Sequence, residues 1–385
     1  MKIAINCMFC QPRGGGIREY IYNIVNALSR QDADTSEYIL YVLRDGVEFA
    51  QSLLPHTGRF RIKTLPFGSS YLDVIRRSLL VDRFFRQEEQ IEHFDLFHSP
   101  FFHAPRLRHA RVVITVHDLR FFRYPSTYAF MRYVFLRHAV KHSIRRADHI
   151  ITISSFTKQE IMSAYHIPSD RITVVLEAIN RQDFSTDKLA GFVPDGLASG
   201  LVDQPFILSV GHIEPRKNYD RLLTAFTLLK QRPEAKNVKL VIVGKRGTHY
   251  KSVLSRIGHM PDVVYLDFVS RQLLLWLYSR AQVFSFPSFY EGFGFPPLEA
   301  ACMGTISSVA RISSMPEVCG DSVDYCDPFD VHSIAESLHR CLFDDEVIAA
   351  LRSRLEPNLA RFSWDDNATQ TLAVYRQVLS GTSKS

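Results

Sequence analysis

The stretch QVFSFPSFYEGFGFPPLE, residues 282–299, joins a strand pattern to a helix start through a glycine turn. Residues 282–286 are mostly apolar and predict a buried strand. A proline pair suits the first positions of the helix that we predict over 296–303. The backbone amides of the turn and the positive helix start would face any ligand that binds there. The order strand, glycine turn, helix is the repeating unit of an α/β fold.

Two glutamates bracket this turn. Glu291 lies on the loop, and Glu299 lies about one turn into the predicted helix. Carboxylate acceptors fixed at this separation suit two sets of hydroxyls on one long ligand, such as a sugar and a ribose. The alternative is that both carboxylates are ordinary solvated side chains.

A basic turn opens the second half of the chain in the segment SVGHIEPRKN, residues 209–218. The apolar run before it predicts a buried strand. Arg216 and Lys217 stand just before a helical pattern that ends at Lys230, and we predict that Asn218 caps this helix. Two cations beside a helix start make a good diphosphate site. The alternative is a solvated basic turn.

A glycine loop also follows the first strand of the chain. Residues 2–6 predict this strand, and the glycines at 14–16 precede a helical pattern over 17–28. Gly15 and Gly16 would let a backbone approach a phosphate closely. The spacing differs from the G-x-G-x-x-G turn of dinucleotide sites, and no Gly-Lys-Ser/Thr follows as in a P-loop. The alternative, a flexible linker, fits less well between a strand and an amphipathic helix.

A fourth candidate is His117, which ends the apolar run of residues 112–116. The carboxyl ends of strands are where open α/β sheets bind ligands. A histidine there can hydrogen-bond a sugar or a phosphate. The alternative is a structural histidine bonded to a neighbouring carbonyl.

Taken in this order, the four segments resemble the motifs of glycosyltransferase family 4, the retaining nucleotide-sugar transferases of GT-B fold. The resemblance extends over nearly the whole chain and includes residues 147–156, 313–318 and 362–364. Within the family, the chain is most similar to bacterial O-antigen and exopolysaccharide mannosyltransferases, whose donor is GDP-mannose. The family often carries an Asn-Gly-Val-Asp turn, which EAINRQDF at residues 177–184 replaces here. We assign no donor contact to that segment.

The resemblance implies retaining transfer of a hexose, with mannose from GDP-mannose favoured, to a lipid-diphosphate-linked oligosaccharide in O-antigen or surface polysaccharide synthesis. Positive groups would stabilise the charge that builds on the leaving diphosphate. The expected catalytic residues are His117, Arg216, Lys217 and Glu291. The expected donor-binding residues are Gly15, Gly16, Arg216, Lys217, Glu291, Gly292, Phe293, Gly294, Phe295 and Glu299.

Each of these groups has an expected role. Arg216, Lys217 and the amides near Gly14 to Gly16 would bind the diphosphate. The sugar hydroxyls are assigned to Glu291, the ribose is assigned to Glu299, and His117 would contact the sugar or the β-phosphate.

We expect no cofactor and no divalent metal, because the two cations would do the work of the ion. The D-x-D pattern at residues 32–34 lies at a predicted helix end, away from any expected strand tip, and we interpret it as coincidence.

Alternating strand and helix patterns predict two doubly wound parallel sheets. The predicted strands of the first set are 2–6, 38–43, 94–98, 111–116, 149–153 and 172–176, with helices notably at 17–30, 71–90 and 126–146. Those of the second set are 206–210, 239–243, 263–266, 282–286, 305–309 and 323–326. The predicted domains are 1–185 on the acceptor side, a linker at 186–204, and 205–364 for the nucleotide sugar. As in GT-B proteins, the two domains would face each other across a cleft, and a final helix within 365–385 would pack on the first domain.

Composition narrows the class of protein further. The 385 residues are 46% hydrophobic with a mean hydropathy of −0.06, as in ordinary globular proteins. No apolar run reaches about 18 residues, the length that a membrane span needs. The chain starts directly with a strand pattern and no signal peptide, and its six cysteines suit a reducing compartment, so we expect a cytoplasmic protein.

Charge is uneven along the chain. Residues 1–180 carry 24 Lys and Arg against 17 Asp and Glu, whereas the remainder carries 22 against 23. Basic and aromatic residues alternate in 76–86 and 120–124. Such a face suits an anionic membrane surface or a lipid-diphosphate acceptor, so we expect a peripheral protein at the inner leaflet of the cytoplasmic membrane. A solvated basic face is the alternative, and nucleic acid fits poorly because no recognition motif accompanies the charge.

Two other classes of function stay open at this point. One is an NAD-dependent sugar-nucleotide oxidoreductase or epimerase, because the sheets are Rossmann-like, although the G-x-G-x-x-G turn is missing. The other is a non-catalytic module that binds nucleotides or glycans, although the set Arg216, Lys217, Glu291 and Glu299 favours an enzyme.

Overall fold

The computed structural model describes residues 1–12, 15–55 and 58–381. It divides the chain into two compact units, one made of residues 1–178 with 363–385 and one made of residues 179–362. The segment 186–204, which the sequence marks as a linker, lies within the second unit. Gly14, which the sequence includes in the glycine loop, lies outside the described residues.

The first unit contains a parallel sheet of seven strands in the order β3-β2-β1-β4-β5-β6-β7. The strands are β1 (Lys2–Asn6), β2 (Glu37–Leu43), β3 (Phe60–Leu65), β4 (Leu96–Ser99), β5 (Arg111–Val116), β6 (His149–Thr152) and β7 (Ile172–Val174). The central strands read as apolar runs because both faces of a doubly wound sheet are covered by helices. All residues of β4 and all but the first of β1 and β5 are buried.

Six helices connect these strands, and several begin where the sequence provides a cap. They are α1 (Gly16–Ser29), α2 (Val47–Leu53), α3 (Tyr71–Glu92), α4 (Arg120–Arg123), α5 (Phe130–Arg146) and α6 (Ser155–Tyr165). Ser70 accepts a hydrogen bond from the amide of Asp73, and Ser154 accepts one from Thr157, so both serines cap their helices. The buried residues of α1 recur at helical spacing, as the sequence predicts.

The second unit contains a parallel sheet of six strands in the order β10-β9-β8-β11-β12-β13. The strands are β8 (Phe206–Val210), β9 (Lys239–Val243), β10 (Val263–Leu266), β11 (Val283–Phe286), β12 (Ser307–Ala310) and β13 (Asp324–Cys326). The helices are α7 (Tyr219–Leu229), α8 (Tyr250–Ile257), α9 (Arg271–Arg280), α10 (Phe295–Cys302), α11 (Met315–Cys319), α12 (Val331–Phe343) and α13 (Asp345–Leu359). The chain crosses from one side of β8 to the other between β10 and β11, which makes β8 and β11 the switch point of the sheet.

The last helix, α14 (Trp364–Ser380), returns to the first unit and packs against α1. The hydroxyl of Tyr375 lies 2.6 Å from Nδ1 of His98, and both side chains are fully buried. The Asn367 amide donates to the carbonyl of Leu176 at 2.7 Å. Two parallel Rossmann-like sheets and this returning helix confirm the predicted fold class.

The structure differs from the sequence analysis at two elements of the first unit. The strand β3 is absent from the prediction, since Arg61 and Thr64 are exposed and Ile62 and Lys63 are only half-buried. Lys63 extends from this strand to the carboxylates of Glu88 and Glu92. The helix α5 begins at Phe130 rather than at 126, because Pro125 starts a separate short turn.

Within the described residues, no helix is both long enough and apolar enough to span a bilayer.

Candidate functional site

The loops after β8 and β11 lie at the switch point of the second sheet, where open α/β sheets bind ligands. The loop after β8 carries Arg216 and Lys217, and the loop after β11 carries Glu291. These loops are hydrogen-bonded to each other, since the amide of Phe289 donates to the carbonyl of Arg216 at 2.7 Å. Two segments that are distant in the sequence therefore form one site.

The cations and the carboxylate of these loops meet at a single oxygen atom. Oε1 of Glu291 accepts from Nη1 of Arg216 and from Nζ of Lys217, each at 2.7 Å. Arg216 also pairs through Nε with Glu214 at 2.6 Å and donates to the carbonyl of Tyr290 at 3.0 Å. In the unbound protein the two cations are thus balanced by two carboxylates.

Burial and charge act in opposite directions on these groups. Burial would raise the pKa of Glu291, but Lys217 and Arg216 outweigh this and hold it well below its ordinary value, at about 2. Burial lowers the pKa of Lys217 to about 8 despite the neighbouring Glu291. The ammonium group of Lys217 also lies 4.3 Å from the centre of the Phe286 ring. At neutral pH the site therefore holds charged groups in a largely dehydrated environment.

Asn218 does not cap α7 in the way that the sequence predicts. Its backbone is in the left-handed region, with φ of 62°, and its side chain makes no capping hydrogen bond to the helix. The side-chain amide instead donates to the carbonyls of Pro287 and Pro328. Asn218 thus connects the basic turn to the loops that contain Pro287 and Pro328, instead of capping the helix.

The Gly-Phe-Gly turn leads directly into α10, and its backbone requires glycine at one position. Gly294 has φ of 109°, and a Cβ atom there would lie 2.1 Å from the methyl group of Met315. The hydroxyl of Ser314 holds the turn in place by donating to the carbonyls of Glu291 and Phe293. Gly292 and Phe293 are buried, whereas Phe295 is partly exposed at the first position of α10.

Glu299 lies in the second turn of α10 and has a different environment from Glu291. Its Oε2 atom accepts from the hydroxyl of Tyr278 at 2.8 Å. Burial raises the pKa of Glu299 above its ordinary value, because the hydrogen bond from Tyr278 only partly offsets it. Glu299 therefore does not join the cluster formed by Arg216, Lys217 and Glu291.

The first unit carries the other predicted site residues. His117 follows β5, and its Nε2 atom lies 2.9 Å from the carbonyl of Pro100. Gly15 and Gly16 stand at the start of α1, and a Cβ atom added to either would meet no described atom within 4 Å apart from those of its chain neighbours. Among the described residues, nothing therefore blocks the space beside these two glycines.

Several residues of the site were not predicted from the sequence. Tyr278 lies in an apolar helix and reads as a core residue, and Ser314 reads as part of a polar turn. Glu214 has no spacing that links it to Arg216 by pattern. The contact of Tyr278 joins α9 to α10, and the contacts of Ser314 join two loops, so both depend on the order of the strands. Glu214 instead pairs with Arg216 within one loop.

The described residues contain no group of three or more His, Cys, Asp or Glu side chains that could hold a metal ion. Asp34, the second aspartate of the D-x-D pattern, accepts hydrogen bonds from Ser36 and Tyr38 and pairs with Arg59. These contacts give Asp34 a structural role in the first unit.

Models of two glycosyltransferase families match nearly the whole chain. Residues 14–183 match Glycosyltransferase Family 4, and residues 199–359 match Glycosyl transferases group 1. O-antigen chain mannosyltransferase B of Escherichia coli is 32% identical over 284 residues, which are 73% of this chain and 74% of that protein. O-antigen chain mannosyltransferase RfbU of Salmonella typhimurium is 29% identical over 256 residues, or 66% of each chain.

Solved structures with the same fold include sucrose-phosphate synthase from Thermosynechococcus elongatus, with a TM-score of 0.74, 18% identity and coverage of 99% of this chain and 100% of that one. WaaG, a glycosyltransferase involved in lipopolysaccharide biosynthesis, aligns with a TM-score of 0.66, 14% identity and coverage of 99% and 100%. At this identity the structural likeness bears on the fold, while the sequence relatives bear on the family. The chain therefore belongs to glycosyltransferase family 4 and not to a family of dinucleotide-dependent oxidoreductases.

Proposed function

We propose that this glycosyltransferase moves mannose from GDP-mannose, with retention, to a lipid-diphosphate-linked oligosaccharide in the synthesis of O-antigen or another surface polysaccharide. The observation that carries the proposal is the cluster of Arg216, Lys217 and Glu291 at the switch point of the second sheet. The names of the mannosyltransferase relatives favour the sugar and the kind of glycan.

The two cations would bind the donor diphosphate. Charge builds on the diphosphate as the glycosidic bond breaks, and fixed cations in a dehydrated site stabilise that charge strongly. Glu214 and Glu291 pair with these cations. The carboxylates thus hold both cations in place at the switch point of the sheet.

The carboxylate of Glu291 has one oxygen left for the sugar. Both cations contact Oε1, and within the described part of the chain Oε2 makes no hydrogen bond. We assign Oε2 to the hydroxyls of the transferred hexose, which would be oriented relative to the diphosphate by the same side chain. Glu299, held through Oε2 by Tyr278, would accept from the ribose with its other oxygen.

The backbone and the first unit would supply the remaining donor contacts. The amides of Gly292, Phe293, Gly294 and Phe295 belong to the turn that enters α10, and helix starts favour anions. Gly15 and Gly16, at the start of α1, would bind phosphate oxygens. His117 would contact the sugar or the β-phosphate.

The function is tested by incubating the purified protein with radiolabelled GDP-mannose and a polyprenyl-diphosphate-linked oligosaccharide in detergent. We expect mannosylated lipid, with an α-linkage by NMR because GDP-mannose is an α-glycoside. UDP-glucose and UDP-galactose serve as donor controls and should give much less product. Faster transfer from a UDP-sugar would contradict the choice of donor, and a β-linked product would contradict retention.

We also propose that the first unit binds the cytoplasmic membrane through a basic–apolar face on α3 and α5. Both helices begin after the carboxyl ends of strands, and Arg146 of α5 pairs with Asp82 of α3 at 3.2 Å. Phe130 and Met131 expose 74% and 76% of their surface, which is unusual for large apolar side chains. The exposed members of these two helices that we assign to the face are Leu72, Arg76, Leu79, Leu80, Arg83, Phe130, Met131, Arg132, Phe135, Arg137 and Lys141.

Two forces would act at this face. Each Lys or Arg near an anionic leaflet contributes about 1 kcal/mol, and this part weakens as salt screens it. Apolar side chains inserted between lipid headgroups resist salt. Of the arginines in the basic stretch 76–86, Arg77 and Arg86 are only partly exposed, so Arg76 and Arg83 carry the electrostatic part on α3.

Vesicles of phosphatidylglycerol and phosphatidylethanolamine test this face by co-sedimentation at rising salt. Arg76→Ala with Arg83→Ala should reduce binding at low salt, whereas Leu79→Ser with Phe130→Ser and Met131→Ser should remove the part that persists at high salt. Arg232→Ala, at a partly exposed position of the second unit, is the control. No binding to anionic vesicles at low salt, or a dimer in light scattering that the serine variant converts to a monomer, would overturn the proposal.

A further inference from the structure

His117 has a hydrogen-bond acceptor beside each of its ring nitrogens. Nε2 lies 2.9 Å from the carbonyl oxygen of Pro100. Nδ1 lies 3.7 Å from Oε1 of Glu177, an ion-pair distance. The carboxylate belongs to a side chain that is only 4% exposed, and the imidazole itself is 18% exposed.

The chemistry of these two neighbours decides the charge of the ring. A neutral imidazole donates from one nitrogen and accepts at the other. Since a carbonyl and a carboxylate can only accept, a neutral ring would direct one lone pair at another. Only the doubly protonated ring has a proton for each neighbour.

His98 shows that burial alone does not produce this outcome. It lies on the neighbouring strand β4, and its ring nitrogens face two hydroxyls, that of Thr115 at 2.9 Å and that of Tyr375 at 2.6 Å. Hydroxyls both donate and accept, so they suit a neutral ring. Burial, together with the charge of His117, lowers the pKa of His98 to about 3. His98 is therefore neutral at neutral pH, whereas the two acceptors beside His117 favour a charged ring.

We propose that Glu177 is a positioning residue that holds the His117 ring as a fixed cation at the carboxyl edge of the first sheet. The ring of Tyr20 on α1 packs against the imidazole in a T-shaped arrangement, with the ring centroids 4.9 Å apart. The step to catalysis rests on the proposed function: a positive charge at this edge favours a donor that carries a diphosphate. This gives a role to Glu177, which lies in the segment to which the sequence analysis assigned no donor contact.

The sign of the pH dependence follows from the groups around the ring. Glu177, Asp118, Tyr20 and His98 are the titratable groups that surround or influence it. Burial alone would lower the pKa of His117, but Glu177, the Pro100 carbonyl and Asp118 outweigh it and raise the pKa above the ordinary value. The charge is therefore present below this raised pKa and is lost as the pH rises through it.

The charge can be observed directly by NMR of protein labelled with ¹⁵N at histidine, with His117 assigned from the spectrum of His117→Gln. In the wild type, both ring nitrogens of His117 should carry protons at pH 7. Glu177→Gln should lower the titration midpoint by about 1 pH unit or more, the usual effect of losing an adjacent opposite charge. Glu177→Asp should restore most of the shift.

Glu160→Gln is the matched control, because Glu160 is similarly buried in the first unit and pairs with Arg123 instead. It should leave the titration of His117 unchanged. In mannosyl transfer, Glu177→Gln should move the alkaline limb of kcat/KM to lower pH, whereas a merely structural loss would lower kcat/KM equally at every pH.

A His117 ring that is neutral at pH 7 in the wild type, or that titrates identically in Glu177→Gln, would overturn the proposal. Should Glu177→Gln fail to fold, the wild-type titration and Glu177→Asp decide the question. The NMR result does not depend on the donor. A cationic His117 in a protein that transfers no mannose would therefore refute the proposed function and keep this assignment of charge.

Discussion

The carboxyl edges of the two sheets each hold a cation against a buried carboxylate, but they do so with different chemistry. In the second unit, Arg216 and Lys217 share one oxygen of Glu291. In the first unit, the proposed cation is His117, whose charge would depend on Glu177. An arginine keeps its charge at every accessible pH, whereas a histidine can lose it. The second edge therefore keeps the charge of Arg216 at every accessible pH, although Lys217, with a pKa of about 8, loses its charge in mildly alkaline solution. The charge at the first edge depends on a histidine.

The largest expected effect tests the strength of the second edge. Arg216→Ala or Lys217→Ala removes a contact to the developing anion and should cost about 2–4 kcal/mol of transition-state stabilisation, or roughly 30- to 900-fold in kcat. Circular dichroism should show an intact fold. The control is Arg232→Ala, because Arg232 is a partly exposed arginine of the same unit and pairs with Glu336. Activity within a few-fold of wild type in both site variants would contradict the diphosphate assignment.

A second experiment separates the two carboxylates of the second unit. Glu291→Ala should strongly reduce turnover, since this side chain would touch the transferred sugar. GDP affinity should hold or rise, because two cations lose the carboxylate that they share. Glu299→Ala should mainly weaken GDP binding, because the ribose does not react.

Isothermal titration with GDP beside steady-state kinetics measures both quantities for the two carboxylate variants. An equal loss of GDP affinity in Glu291→Ala and Glu299→Ala would show that the carboxylates do not have separate roles.

A smaller effect concerns the backbone that supports the second edge. Gly294→Ala should cost about 1–2 kcal/mol from its left-handed conformation, with an added cost from contact with Met315. Gly304→Ala is the matched control, since φ there is 80° but no described atom lies within 4 Å of the added methyl group. Thermal unfolding should rank Gly294→Ala below Gly304→Ala. Equal melting temperatures would remove the argument that Met315 packs against this turn.

The smallest expected effect is that of chelation. Activity should survive EDTA, because Arg216 and Lys217 would supply the positive charge that a divalent ion provides in other transferases. The assay compares rates with EDTA, with Mg²⁺ and with Mn²⁺. A complete loss on chelation that either ion restores would mean that the protein cations are insufficient.

The sequence predicts secondary-structure elements far better than it predicts contacts between side chains. Buried parallel strands read as apolar runs, so the predicted bounds of β1, β5, β8, β9 and β10 are those that the structure gives. The edge strand β3 is not predicted, because charged residues interrupt its apolar pattern. Likewise, Asn218 has a local pattern typical of a cap, but its side chain bonds to loops that lie 69 and 110 residues further along.

The same distinction applies to the site. The basic turn, the Gly-Phe-Gly turn and His117 each follow a strand, and a strand end is visible in the sequence. The sharing of Glu291 by both cations depends on β8 and β11 being neighbours, which no local pattern indicates. The pairing of Glu177 with His117 depends in the same way on a segment that follows β7 reaching back to the end of β5.

The return of α14 to the first unit has a consequence for the order in which the chain can fold during synthesis. Residues 179–362 form a continuous unit that is complete before the last helix has been made. The first unit is not, because Tyr375 and Asn367 complete its buried interior and are made only after the second unit. The unit that is synthesised first is thus completed after the second unit. Until α14 has been made, the part of the first unit's interior that Tyr375 and Asn367 cover is exposed.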